Sequence, residues 1–127
     1  MKQEEFIKVL DEKRYPYEIE GNKIVVTHKG FVDLRSLTSL PPGVEFKNRG
    51  FVDLESLTSL PPGVEFNNGG DAYLRYLTSL PPGVEFNNGG DVYLNLIGGW
   101  FHNWSGNIKG ISSKRLLNLM ISKGVFI

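Results

Sequence analysis

L-T-S-L-P-P-G-V-E-F occupies residues 37–46, 57–66 and 77–86 without a single change. The copies follow one another every 20 residues, with no insertion. Identity at a fixed short period marks a repeat architecture, in which each unit buries its apolar face only against its neighbours. With turns aligned as 30–49, 50–69, 70–89 and 90–109, the columns are of two kinds. Val32/Val52/Ala72/Val92, Leu34/Leu54/Leu74/Leu94 and Leu37/Leu57/Leu77/Ile97 are apolar at every level, as are Leu40/Leu60/Leu80/Trp100 and Val44/Val64/Val84/Trp104. Asp33/Asp53/Tyr73/Tyr93, Arg35/Glu55/Arg75/Asn95 and Glu45/Glu65/Glu85 are mostly polar, as are the Asn-rich positions 47–48, 67–68 and 87–88.

The alternation in V-D-L-R and V-E-F has period two, the pattern of a half-buried strand. It predicts two short strands per turn, near 31–35 and 44–47 in the first. Pro41-Pro42 forbids helix and marks a corner. Gly43 and the N-N-G-G runs are turn chemistry, because Gly and Asn tolerate positive φ. A 20-residue turn is too short for a strand and a full crossover helix. Equivalent strands are therefore expected to pair in parallel, about 4.8 Å apart. The expected fold is a right-handed parallel β-solenoid, residues 23–109, in a single domain of 127 residues.

The L-T-S-L-P-P of each turn resembles the L-x-x-L-P element of short bacterial leucine-rich repeats, which also run to about 20 residues. It is similar as well to short repeat proteins of bacteria and their phages with runs like L-T-S-L-P-P-G-V-E-F-N-N-G-G. The resemblance covers roughly residues 24–110 and implies a leucine-rich-repeat-like scaffold. Tyr73–Leu80 departs from the usual leucine-rich pattern, having no Asn at the expected place. Bacterial effectors with such repeats carry a Cys-dependent ubiquitin-ligase domain. This chain has no Cys and no room for it, so the resemblance implies a binding scaffold without that activity.

The ends read as caps, which solenoids need to cover apolar ends and unpaired edges. Residues 2–14 predict a helix with Phe6, Ile7 and Leu10 on one face, ended at Tyr15-Pro16. Residues 17–29 read as a hairpin or as a partial turn. Aligning Ile24 with Val44 and Val26 with Phe46 favours the partial turn for 23–29, and residues 1–22 then form the N-terminal cap. The fourth turn keeps the 20-residue length in this alignment but carries W-F-H-N-W in place of the conserved corner, which places Trp100 and Trp104 in core columns. Residues 110–127 read as the C-terminal cap, with a helix at 113–123 and Leu116, Leu117, Met120 and Ile121 on its apolar face.

Lys plus Arg equals Asp plus Glu at 14 each, but residues 30–91 hold four bases against eight acids. Residues 92–127 hold four bases (Lys109, Lys114, Arg115, Lys123) and no acid. With no Cys there is no disulfide framework or thiolate chemistry. Met1-Lys2-Gln3-Glu4-Glu5 is not a secretory signal, and no apolar run approaches the roughly 20 residues of a membrane span, so a cytoplasmic protein without membrane contact is expected.

No constellation points to catalysis. His28 and His102 fall at opposite ends of the stack, some four turns apart, and the Ser and Thr of L-T-S-L recur in every copy, unlike a nucleophile. No enzyme, cofactor or metal site is expected; carboxylates on one flat ladder do not wrap a cation. The acidic ladder Glu45/Glu65/Glu85 reads as a solvated face that discourages edge pairing and aids solubility before it reads as a site for a basic partner surface. W-F-H-N-W reads as cap core before it reads as a ligand platform. The candidate binding face is Asp33, Arg35, Asp53, Glu55, Tyr73, Arg75, Tyr93 and Asn95, because it varies between turns and carries Tyr and Arg, residues enriched at hot spots. The expected function is a non-catalytic protein-interaction scaffold. The alternatives are a self-associating structural protein (a homo-oligomer) or a phage-type inhibitor of a host protein. Nucleic-acid binding through the basic C-terminal end is disfavoured, since four charges without a motif are a weak footprint.

Overall fold

In the computed structural model, residues 1–77, 81 and 83–93, together with the backbone of Leu94 and of strand 107–109, are described. The chain opens with helix α1 (Gln3–Lys13) and the hairpin β1 (Tyr17–Glu20) and β2 (Lys23–Val26). Two short strands per turn then follow: β3 (Val32–Asp33) and β4 (Val44–Phe46), β5 (Val52–Asp53) and β6 (Glu65–Phe66), β7 (Ala72–Leu74) and β8 (Glu85–Asn87). Strands β9 (Val92–Leu94) and β10 (Asn107–Lys109) come last. They build two sheets, ordered β1-β2-β4-β6-β8-β10 and β3-β5-β7-β9. Among the described residues every pairing is parallel except β1 with β2. This is the β-solenoid expected from the repeat, with an N-terminal helix at one end.

The register follows the repeat. Val32 lies opposite Val52, Val52 opposite Ala72, and Ala72 opposite Val92. On the other sheet Phe46, Phe66 and Phe86 line up, and their rings stack at centroid distances of 5.4 and 5.1 Å. Leu34, Leu54 and Leu74 and the Leu37, Leu57 and Leu77 column complete a core that runs unbroken along the stack. Gly43, Gly63 and Gly83 have φ of 78°, 82° and 80°, so the corner after the prolines turns through a conformation that favours glycine. Gly50 and Gly70 serve close approach: a Cβ on Gly50 would sit 2.6 Å from the backbone nitrogen of Phe31.

Buried asparagines bind the turns together. Asn68 Nδ2 donates to the carbonyls of Gly50, Gly70 and Asp71 at 3.0–3.2 Å. Asn48 and Asn88 repeat the pattern one turn down and one turn up. Two N–H hydrogens serve three carbonyls, so at least one is shared. The amide oxygens are buried and accept no bond among the described residues, which costs about 1–3 kcal/mol apiece against the bonds donated. The sequence marks these positions only as turn asparagines; their place inside the stack comes from the fold.

Both readings of residues 17–29 hold at once. β1 and β2 form an antiparallel hairpin, and β2 also pairs with β4 in the expected alignment, Ile24 with Val44 and Val26 with Phe46. Helix α1 buries Phe6 and Leu10 against the core. The fourth turn differs from expectation. β10 places Asn107 opposite Glu85 and Ile108 opposite Phe86, an offset of 22 residues rather than 20. The Pro-Pro-Gly corner that sets the length of the other turns is absent there. Trp100, Trp104 and the expected C-terminal helix at 113–123 lie outside the described residues.

Leu57 is fully buried in the middle turn. Leu57→Ala is expected to cost about 2–5 kcal/mol in urea denaturation, as a core truncation. Asn68→Ala removes its bonds to three carbonyls, each of which keeps a backbone N–H donor, and is expected to cost about 1–2 kcal/mol in the same measurement.

Candidate functional site

The outer face of the four-stranded sheet gathers the variable residues. Asp33, Asp53, Tyr73 and Tyr93 lie opposite one another on successive strands, with side chains directed away from the core residues that flank them. Arg35, Glu55 and Arg75 follow two residues on. Asp33 Oδ1 accepts from the backbone N–H of Arg35, and Asp53 Oδ1 from that of Glu55, both at 3.1 Å. These are Asx turns, the local reason the strands end there. Asn95 lies outside the described residues.

The charges pair differently from the simple alternation of Arg35, Glu55 and Arg75. Arg75 Nε meets Glu55 Oε1 of the preceding turn at 2.9 Å. Arg35 instead folds back on Asp33, donating from Nε at 3.0 Å and from Nη2 at 2.9 Å, and reaches Asp53 Oδ2 only at 3.5 Å. The Arg35 hydrogen bond holds the Asp33 carboxyl below its ordinary value. Burial pushes the Asp53 carboxyl above its own, against the bond from the Glu55 N–H. Burial also raises the Tyr73 hydroxyl, with Asp71 adding to the effect. That hydroxyl donates to Asp71 Oδ2 at 3.2 Å.

An aromatic ladder, not legible as a single column, crosses this face. Phe31 stacks on Phe51 at 4.9 Å, Phe51 meets Tyr73 edge-on at 5.5 Å, and Tyr73 stacks on Tyr93 at 4.9 Å. Sequence columns conceal it because the aromatic position moves by two residues between turns, from 31 and 51 to 73 and 93. Its signal was the replacement of Phe by Asp at 71 and 91 together with Asp by Tyr at 73 and 93. Arg35, Phe51, Asp53, Glu55, Tyr73 and Arg75 line one shallow depression of about 380 Å³.

The acidic ladder behaves otherwise than a solvated face. Glu45, Glu65 and Glu85 do lie opposite one another, but Glu45 is only 4% exposed. Lys23 Nζ, from the capping hairpin, binds Glu45 Oε1 at 2.6 Å and Glu65 Oε2 at 2.7 Å. Asn67 Nδ2 donates to Glu45 Oε2 at 3.2 Å, and Lys47 Nζ stands 3.5 Å from the same atom. Burial would raise the Glu45 carboxyl, yet the Lys23 hydrogen bond and charge leave it below its ordinary value. The Lys23 ammonium is raised by its bonds to the two carboxylates. Packing of the hairpin onto the stack is what brings Lys23 within reach, and its separation of 22 residues from Glu45 hides it in the sequence.

No protein-family model, curated protein or solved structure matches the chain.

The Lys23 network predicts a pH-dependent stability. Glu45, with its pKa depressed, contributes stability that is present above the ordinary value of 4.5 and lost as pH falls through the folded value. Lys23, with its pKa raised, contributes stability that is complete below the ordinary 10.5 and lost as pH rises through its folded value. At pH 7 both contributions are present. Lys23→Met is expected to cost about 1–3 kcal/mol there, discounted from a fully buried pair because the Lys23 side chain is 40% exposed. Thermal melts from pH 7 down to pH 3 should show the variant and wild type converging below about pH 4.5.

Proposed function

We propose that the protein is a non-catalytic interaction module that binds a protein partner through the outer face of the four-stranded sheet. The supporting observation is the convergence of Arg35, Phe51, Asp53, Glu55, Tyr73 and Arg75, from three turns, around one depression. These residues lie on a rigid, laddered surface, so little order has to be gained on binding. The aromatic ladder supports a protein partner over a sugar or a base. The paired rings lie nearly parallel, at 9° and 16°, and cover one another's faces. Rings that cover one another leave less open face for a planar ligand, and their edges suit side-chain packing.

The charge on the face suggests the partner's sign. The lining itself is balanced, Asp53 and Glu55 against Arg35 and Arg75, and the acids Asp33 and Asp71 stand beside it, bonded to Arg35 and Tyr73. A partner surface with a surplus of Lys or Arg is complementary to this, and such complementarity governs specificity and association rate more than affinity.

The test is capture from lysate with the tagged wild-type chain and with Tyr73→Ala/Arg75→Ala in parallel, followed by mass spectrometry and direct titration of the captured protein. The variant is expected to keep its circular dichroism spectrum and to bind the partner at least about tenfold more weakly, as for loss of hot-spot side chains. Equal binding by the variant would remove this face from consideration. Capture of the chain by itself alone would turn the reading toward self-association.

A further inference from the structure

We propose that the outer edge of β1 is a second docking edge, which takes an extended partner segment of alternating basic and apolar residues by strand addition. The proposal is independent of the variable face, since it rests on the opposite sheet and on other residues.

Among the described residues β1 is the terminal strand of the six-stranded sheet, with β2 as its neighbour on one side only. The direction of its free groups follows from the hydrogen bonds around it. Ile24 donates to Gly43, and Lys47 donates to the carbonyl of Val26, so the backbone groups of Ile24 and Val26 face β4. Thr27 donates to Pro16 at 2.9 Å. In an antiparallel pair bonded and non-bonded positions alternate. Glu18 and Glu20 therefore bond across to Val25 and Lys23, and Tyr17 and Ile19 turn their N–H and C=O groups outward, away from β2. A strand of suitable sequence would find those groups already extended and in register.

The side chains select the kind of strand. Glu18, opposite Val25, stands at the end of the row that continues through Glu45, Glu65 and Glu85. Glu20 lies beside it on the same face, and both are exposed. An added strand thus meets carboxylates on that face, where Lys or Arg at alternate positions pairs with them. On the other face Ile19 is 55% exposed, a large apolar side chain beyond the covered core. Apolar residues at the intervening positions would cover it. A second copy of β1 fits poorly: antiparallel pairing with the same faces aligned puts Glu18 and Glu20 of one copy opposite Glu20 and Glu18 of the other, and like charges directly opposite repel.

The test uses a capped peptide of alternating Lys and Val, with a control of the same composition whose Lys residues are clustered at one end. Binding is followed by fluorescence anisotropy and by NMR amide exchange on the intact protein. The alternating peptide is expected to bind at least about tenfold more tightly than the control, with new protection at the Tyr17 and Ile19 amides. Ile19→Pro removes one outward donor and leaves the bonds to β2 intact, a position where an edge strand tolerates proline. It is expected to bring the affinity down to that of the control peptide, whereas Tyr73→Ala/Arg75→Ala leaves it unchanged. Glu18→Gln/Glu20→Gln is expected to weaken binding to a similar extent. Equal affinity for the two peptides, or protection on the variable face instead of at Tyr17 and Ile19, overturns the proposal. So does a peptide-free dimer in which the Ile19 amide is already protected, which would assign the edge to a second copy. If Ile19→Pro disturbs the hairpin, the pattern of amide protection in the wild type decides alone.

Discussion

The Asn48, Asn68 and Asn88 amides hold each turn against the one before it, and the other features of the fold depend on that hold. Each amide bonds a carbonyl 18 residues back and two carbonyls just ahead. This ties the corner of one turn to the corner of the last. Gly50 donates to Gly30, Gly70 to Gly50 and Gly90 to Gly70, each at 3.2 Å. Side chains at Gly50, Gly70 and Gly90 would wedge the turns apart. With the corners locked, the short strands pair at a constant offset, although none is long enough to specify register alone.

A constant offset turns each sequence position into a straight column. Where the column is apolar this is favourable without further device, as in the stacked Phe46, Phe66 and Phe86. Where it is charged, identity between turns is a liability, because equal charges then lie one strand apart. The structure meets this in two ways. On the six-stranded sheet, Lys23 reaches from the capping hairpin to two carboxylates of the ladder at once. On the four-stranded sheet the sequence itself varies, and Arg75 pairs with Glu55 of the preceding turn.

The distribution of sameness and variation bears on function. The invariant decapeptide supplies the corner and the six-stranded sheet. The variable columns supply the outer face of the other sheet, where a mixed-charge depression and an aromatic ladder meet. A face free to change its side chains without altering the corners is where a solenoid can acquire a partner, because the scaffold beneath tolerates the change.

The sequence alone determined the parallel stack, its 20-residue turn, its core columns and the N-terminal helix with Phe6 and Leu10 inward. All of these follow from periodicity, which is a local property. It also identified Asp33, Asp53, Tyr73, Arg35, Glu55 and Arg75 as neighbours, since equal phase in a repeat means adjacency in space. Tertiary structure decided what periodicity does not carry. The aromatic ladder joins two different columns, because a ring reaches farther than the step between them. Glu45 became buried because Lys23 lies outside the repeat and meets the ladder only after the hairpin docks. The Asn amides turned inward because carbonyls of two successive turns converge on them. Arg35 chose Asp33 over Glu55 because a carboxylate two residues away presents both oxygens to its guanidinium. In each case the deciding partner lies at a distance that a repeat period does not encode.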